Sequence, residues 1–179
     1  MLRTARLQLL RPVPEDLDAL HAIHGDPQTN LYNPAGAATF VTSRRWLGVW
    51  IADWEREGFG YFSVVENDAA DDVVIGLAGL KVAEMRLPDD KTVRALNLYY
   101  RFRPTAWGRG LALEAVGAAL EHVRPLRAEL PVCAVIRADN LPSRRLAERL
   151  GLRETGEVDA AGRRVHLLGE ADQLLAHYA

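Results

Sequence analysis

The chain has 179 residues, a formal net charge of −2 with acidic and basic residues interspersed, and a single cysteine, Cys133. That length suits one domain, able to bury roughly two thirds of its unfolded surface without disulfide staples, and the near-neutral charge gives no bulk attraction for nucleic acid or an anionic membrane. No stretch approaches membrane-spanning length and no signal-like apolar core opens the chain, so the expected location is the cytoplasm.

Arg6 to Arg11 alternates polar and apolar residues and reads as a first strand, stopped by Pro12-Val13-Pro14. Glu15, Asp16 and Asp18 then crowd the first turn of a helix with apolar positions Leu17, Leu20, Ala22 and Ile23, ending near Gly25. His21 and His24 lie three apart on it without the further ligands a metal needs, so they read as surface or pocket residues and no metal site is expected. Asp26 to Ala38 is a loop. Thr42-Ser43 is expected to cap a helix running to about Glu57, on which Trp46, Trp50 and Trp54 form one aromatic stripe suited to core packing. Residues 60–66 and 72–82 read as a hairpin, with Gly76 and Gly79 permitting a bend or close approach, and a turn at Pro88 to Lys91 leads into the next strand.

Ala95 to Val116 holds the strongest local signal. Ala95 to Phe102 is an aromatic and aliphatic strand closed by Pro104, and from Gly110 onward Leu111, Ala112, Ala115, Val116 and Ala119 recur at helical spacing. Between them lies Trp107-Gly108-Arg109-Gly110-Leu111-Ala112. Glycines at a strand-to-helix turn let successive N–H groups point outward beside the positive end of the helix dipole, an arrangement that binds phosphate. The same glycines would also serve close packing of a helix on a sheet. A dinucleotide fingerprint would want a glycine where Leu113 stands and an acidic residue ending the next strand, whereas Glu129 precedes it; the Gly-Lys-Ser/Thr of a P-loop is absent.

Pro131 to Ile136 is a short apolar run, a strand buried on both faces with Cys133 as a core residue. Asn140 or its neighbours cap a helix that Pro142 starts and Gly151 ends. Residues 152–158 and 164–168 close the sheet through a turn around Gly162, and the segment from Glu170 reads as a short amphipathic helix or frayed tail. The order is β-α-α-β-β-β-α-β-α-β-β: one α/β domain with a mixed sheet and helices on both faces.

Taken in order, Arg6-Leu7-x-Leu9-x-Arg11-Pro12, Gly60-Tyr61-Phe62, Ile75-Gly76-x-x-Gly79-Leu80, Trp107-Gly-Arg-Gly and Asn140-x-x-Ser143 with Leu150-Gly151-Leu152 resemble the Gcn5-related N-acetyltransferase (GNAT) family. Within it they resemble the branch that acetylates N-terminal amines of ribosomal proteins. The resemblance covers nearly the whole chain and implies a mostly antiparallel sheet of about seven strands, splayed at its centre to admit acetyl-CoA, with no metal. It implies that backbone groups of Tyr100 and Phe102 hold the acetyl and pantetheine amides and that Trp107, Gly108, Arg109, Gly110, Leu111 and Ala112 cradle the pyrophosphate. Asn140 would reach the pantetheine, and Arg144 or Arg145 a CoA phosphate, although those arginines equally suit a solvated helix face. It also gives a second reading of the tryptophan stripe: with Tyr32 and Asn33, Trp50 would wall the acceptor pocket.

The chain departs from the family pattern twice. Asn97 stands where many members carry a catalytic glutamate, and an amide accepts no proton at neutral pH. Ala147 stands where many carry a tyrosine acid, while Ser143 matches the serine that the ribosomal-protein branch places near the sulfur; a first-turn serine bonded to backbone is the plainer reading. The weak base tilts the acceptor toward a protein or peptide N-terminal α-amine, with His21, Asp53, Glu55, Glu157 or Asp159 as bases acting through water. A small-amine acetyltransferase of aminoglycoside or polyamine type and a non-catalytic acyl-CoA sensor are the alternatives, as monomer or homodimer.

Overall fold

A computed structural model describes residues 1–33, 35–68, 73–87, 91–160 and 163–170. The chain divides into two compact units, Met1–Lys81 with Tyr99–Arg124, and Val82–Leu98 with Pro125–Ala179. Both belong to a mixed, mostly antiparallel α/β architecture.

In the first unit β1 (Leu2–Arg3), β2 (Leu7–Leu10) and β3 (Tyr61–Glu66) pair antiparallel in that order, and β3 pairs with the start of β4 (Gly76–Arg86). The two-residue β1 is an addition to the expected order; it is too short to show a period. Helix α1 (Leu17–His24) and helix α2 (Phe40–Glu57) pack on the sheet through Leu20, Leu47 and Trp50 against Tyr61, Leu77 and Tyr99. Strand alternation sends the next residue, Phe62, the other way, toward His122 of α3 (Leu111–Val123). Thr39, not Thr42-Ser43, caps α2: its hydroxyl accepts from the Thr42 N–H at 3.2 Å. An earlier threonine satisfies the first-turn donors, so Thr42 and Ser43 become helical.

The expected close approach of glycines is found. A Cβ at Gly76 would lie 2.2 Å from the Phe102 ring, and one at Gly79 2.6 Å from the Gly60 carbonyl, so β4 runs tight against its neighbours where side chains would not fit. The strand starts at Gly76, later than residue 72, and runs on to Arg86.

In the second unit, β5 (Thr92–Phe102) contributes its first part. Its parallel ladder with β6 (Val132–Ile136) has two register pairs, Leu96–Val132 and Asn97–Cys133; antiparallel β8 (Arg163–Gly169) then pairs with β6 over four, and β7 (Arg153–Ala160) with β8. Cys133 is fully buried in a cluster with Met85, Leu87, Val93 and Ala95. Burial, with Glu170 nearby, pushes its thiol up to about 12, which fits an inert core residue. Glu170 docks on β6: its N–H donates to the Val132 carbonyl and its carboxylate accepts from the Val132 N–H at 3.1 Å. Of the expected turns at 67–71, at 88–91 and around Gly162, residues 69–71, 88–90 and 161–162 lie outside the described residues, as does the tail from 171. Among the described residues no helix is long and apolar enough to cross a membrane.

Candidate active site

The first unit carries the strand-to-helix corner. After β5, Pro104–Ala106 forms a 3-10 turn, and the Trp107 indole N–H donates back to the Phe102 carbonyl at 2.8 Å while half the side chain stays exposed. Gly108 and Gly110 sit at φ 72° and 77°, the left-handed region that side chains resist, and Gly110 is the N-cap of α3 with no side chain to accept from the first turn. Among the described residues the N–H groups of Gly108, Arg109 and Gly110 find no backbone acceptor, and those of Leu111, Ala112 and Leu113 are first-turn donors of the helix. Leu111 is buried to 1 % exposure and anchors the helix, so it and Ala112 offer the site backbone alone.

The corner is clamped from outside. Glu114 accepts from the Thr4 hydroxyl at 2.6 Å, the Arg6 N–H at 2.9 Å and the Arg6 guanidinium at 2.6 and 2.7 Å, and Arg6 also donates to the Arg109 carbonyl at 2.9 Å. Partial burial raises the Glu114 carboxyl, but the Thr4 and Arg6 hydrogen bonds outweigh it and hold it below the usual range. The Arg109 side chain forms a two-pronged pair with Glu66 at 2.5 and 2.9 Å. Arg109 therefore enters the corner through its backbone, its guanidinium being committed to Glu66.

A second cluster of the same unit surrounds His24. Against the expectation of a surface or pocket residue, His24 is 1 % exposed, between the rings of Trp46, Trp50 and Tyr99. Its Nδ1 lies 3.0 Å from the Leu20 carbonyl, which only accepts, so Nδ1 carries the proton and Nε2 accepts from the Tyr99 hydroxyl at 2.8 Å. Burial lowers the imidazole to about 4, overriding the Leu20 bond, with the Arg101 charge pressing the same way. Trp50, 7 % exposed, is part of the core cluster around Leu20, Leu47, Tyr61 and Leu77. Asn33 is spent within its loop, donating to the Asn30 side-chain oxygen at 2.9 Å and the Gly36 carbonyl at 2.6 Å; Tyr32 beside it is half-buried.

In the second unit, Asn140 caps α4 (Leu141–Arg149) by accepting from the Ser143 N–H at 3.2 Å. The helix ends in a Schellman motif: Gly151 at φ 89° donates to Glu148, and Leu152 donates to the Ala147 carbonyl at 3.1 Å. The Ser143 hydroxyl makes no hydrogen bond among the described residues, so the backbone bond that its position suggested is not formed. The Arg144 guanidinium pairs with Glu154 at 2.9 Å, whereas Arg145 on the next position is exposed. Asn97 is half-buried on β5, and Tyr100 and Phe102 follow on the same strand, Phe102 buried.

The sequence profile of the acetyltransferase (GNAT) domain matches residues 6–153. The chain belongs to the GNAT acetyltransferase family. A Bordetella pertussis chain assigned to the GnaT family superposes with TM-score 0.76 at 27% identity over 95% of this chain and 98% of its own. Two more distant structures share the GNAT fold: RimL, described as a ribosomal L7/L12 α-N-protein acetyltransferase and bound to coenzyme A (17% identity, 93% of each chain, TM-score 0.67), and the ribosomal-protein-S5-alanine acetyltransferase of Vibrio fischeri (17%, 95% and 94%, TM-score 0.68).

On this GNAT scaffold the side chains that hold the corner, Thr4, Glu66 and Glu114, were not singled out in the sequence. Arg6 and Glu114 are 108 positions apart, beyond any local pattern, although the pairing of an Arg-x-x-Arg start with Leu-Glu-Ala after the glycines is a usable signal. The suggested bases that the structure describes are engaged: His21 with the Ser43 hydroxyl at 3.1 Å, Asp53 with Arg56 at 2.6 Å and Glu55 with Arg11 at 3.4 Å, and Glu157, though exposed, has a partner too; the Asp159 side chain lies outside the described residues. Among the described residues no group of His, Cys, Asp and Glu is arranged to hold a metal.

Proposed function

We propose that this GNAT enzyme moves the acetyl group of acetyl-CoA to a peptide or protein N-terminal α-amine, in the manner of the ribosomal-protein branch its motifs resemble. The observation that carries the donor is the corner from Gly108 to Leu113, a row of N–H groups with no acceptor among the described residues at an uncapped helix start. Such donors, with the helix dipole behind them, suit a diphosphate. The backbone of Tyr100 and Phe102 would pair with the pantetheine amides, and the Asn140 amide N–H2 would reach the same arm. Arg109 would serve through its N–H and Trp107 through its exposed face. Arg144 is paired with Glu154, so a role at a CoA phosphate would require it to exchange that partner.

Bound acetyl-CoA supplies an activated thioester carbonyl and a thiolate leaving group. The protein must present a neutral amine and return a proton to sulfur. Ser143, half-buried and with a hydroxyl that has no partner among the described residues, would donate that proton. Asn97 would orient the amine or a water without taking its proton. An alkyl ammonium of pKa ~10.4 is neutral in only a few parts in ten thousand at pH 7, an α-amine of pKa ~8 in roughly a tenth. A site without a strong base therefore favours the α-amine by a factor on the order of 10².

Thiol release from acetyl-CoA, measured with an N-terminally free peptide, an Nα-blocked lysine and a polyamine, tests this reading. The expected result is a kcat/KM for the peptide at least about tenfold above the others at pH 7, the gap narrowing as pH rises and the alkyl amines deprotonate. Faster turnover of the lysine side chain or the polyamine would move the assignment to a small-amine or lysine acetyltransferase. Tight acetyl-CoA binding with no release to any amine would favour the sensor.

A further inference from the structure

Two half-buried arginines of the first unit meet no carboxylate among the described residues: Arg101, and Arg103, which is spent on the Val74 carbonyl. Arg6, Arg11, Arg56 and Arg109 each meet a carboxylate. Arg101, half-buried on β5, meets none among the described residues: its guanidinium donates to the Asn30 side-chain oxygen and lies beside the Tyr99 hydroxyl, both neutral. Both neighbours are themselves held in place. Asn30 is 6 % exposed, and its amide nitrogen donates to the His24 carbonyl at 2.6 Å and the Asp26 carbonyl at 2.8 Å, which aims its oxygen at β5. Tyr99 is fixed by donating to His24 Nε2.

The arrangement orients a guanidinium without neutralising it. Withdrawing a charge from water is costly unless it is paired, and neutral acceptors recover only part of that cost. Here the neighbours are kept from supplying a negative charge: burial holds the Tyr99 hydroxyl above its ordinary range, so it stays protonated, and His24 is neutral. The guanidinium fork retains further N–H donors beyond the one given to Asn30, and a planar, forked cation matches a carboxylate with two parallel hydrogen bonds. The same network holds Asn33 through the Asn30 oxygen and Trp50 through the Tyr99 and His24 rings, two of the residues that the family resemblance assigns to the acceptor wall.

We infer that Arg101 is a specificity-determining residue that binds a carboxylate of the acceptor, so that the preferred amine belongs to an acidic molecule. The inference rests on the acetyltransferase reading and narrows its substrate class. The carboxylate has two possible sources: the α-carboxylate of a free amino acid, or an acidic side chain near a peptide N-terminus.

The test pairs each acid with its amide. Calorimetry measures the N-acetylated products, an acetylated amino acid against its α-amide and an acetylated peptide with Asp or Glu at its first two positions against the Asn or Gln counterpart, on the wild type, Arg101→Gln and Arg101→Lys. The wild type is expected to bind the acid of one pair at least about tenfold tighter, and that pair identifies the source. Arg101→Gln is expected to bind acid and amide alike, and Arg101→Lys, which keeps the charge and loses the fork, to retain a few-fold preference. Should Arg101→Gln fail to fold, the reduced preference of Arg101→Lys decides. Equal binding of acid and amide by the wild type, or an unchanged preference in the variants, would overturn the inference. Thiol release is scored separately: turnover without acid preference sinks only the Arg101 assignment, whereas acid preference without turnover on any amine supports it and sinks the transferase reading.

Discussion

The Gly108–Gly110 corner and the His24–Tyr99–Arg101 cluster belong to one compact unit but handle charge in opposite ways. At the corner every fixed side-chain charge is answered, Arg6 by Glu114 and Arg109 by Glu66, and what is left open is backbone N–H. In the cluster the open group is a cation set among neutral side chains. The corner can thus bind a doubly charged, flexible group by dipoles that need no titration. The cluster reads one planar anion or none. The difference also sets how each region fails.

The largest effect is expected from the cluster's core. Trp50→Ala removes a nearly buried indole packed on Leu20, Tyr61 and Tyr99 and should cost about 3–5 kcal/mol in urea unfolding. A loss below 1 kcal/mol, with a raised acceptor KM, would instead mark Trp50 as a pocket wall. Next comes pH. His24 has a folded pKa near 4 against 6.5 unfolded, so the unfolded chain binds the extra proton between those values. Its contribution is intact above pH 6.5 and is lost as pH falls toward 4, by about 3 kcal/mol at the limit. The corner's carboxylates, Glu66 and Glu114, have lowered pKa values, so their contribution is present above pH 4.5 and is lost only as pH falls below it. Urea midpoints measured from pH 7 to 5 should therefore fall in the wild type and flatten in His24→Gln; an unchanged slope would separate His24 from the acid sensitivity.

Ser143→Ala is expected to lower kcat by about 10²-fold with acetyl-CoA affinity unchanged, if its hydroxyl protonates sulfur; a parallel loss of affinity would make it a helix-start residue only. Glu114→Ala frees Arg6 and Thr4 and should cost about 1.5–3 kcal/mol, the range for hydrogen bonds to a charged group, while raising the donor KM more than the acceptor KM. The smallest change is expected from Arg109→Ala, which trims an exposed ion pair and leaves the backbone donors in place: the urea midpoint and donor KM should barely move.

What was legible in the sequence follows from the same contrast. The corner is a local event, a change of period from strand to helix across two glycines, and the α4 caps, Asn140 and Gly151, are local too. The long-range groups were not. His24 lies on a short helix beside His21, a pattern that looks solvent-facing until Trp46 and Trp50 close over it. Arg101 and Asn30 are 71 residues apart, and nothing in either neighbourhood announces a shared hydrogen bond. Thr39, Thr42 and Ser43 offer three cap residues within five positions, and only the backbone decides which of them stays extended.

On the proposed reading the corner's amides grip the donor's diphosphate. Titration of coenzyme A into the wild type and Gly110→Val measures it directly: valine resists the left-handed φ of 77° and must turn the N–H row aside. The expected result is at least about a thirtyfold rise in Kd, with pantetheine, which has no diphosphate, binding both proteins equally weakly. An unchanged coenzyme A Kd in a folded Gly110→Val protein would rule out that grip.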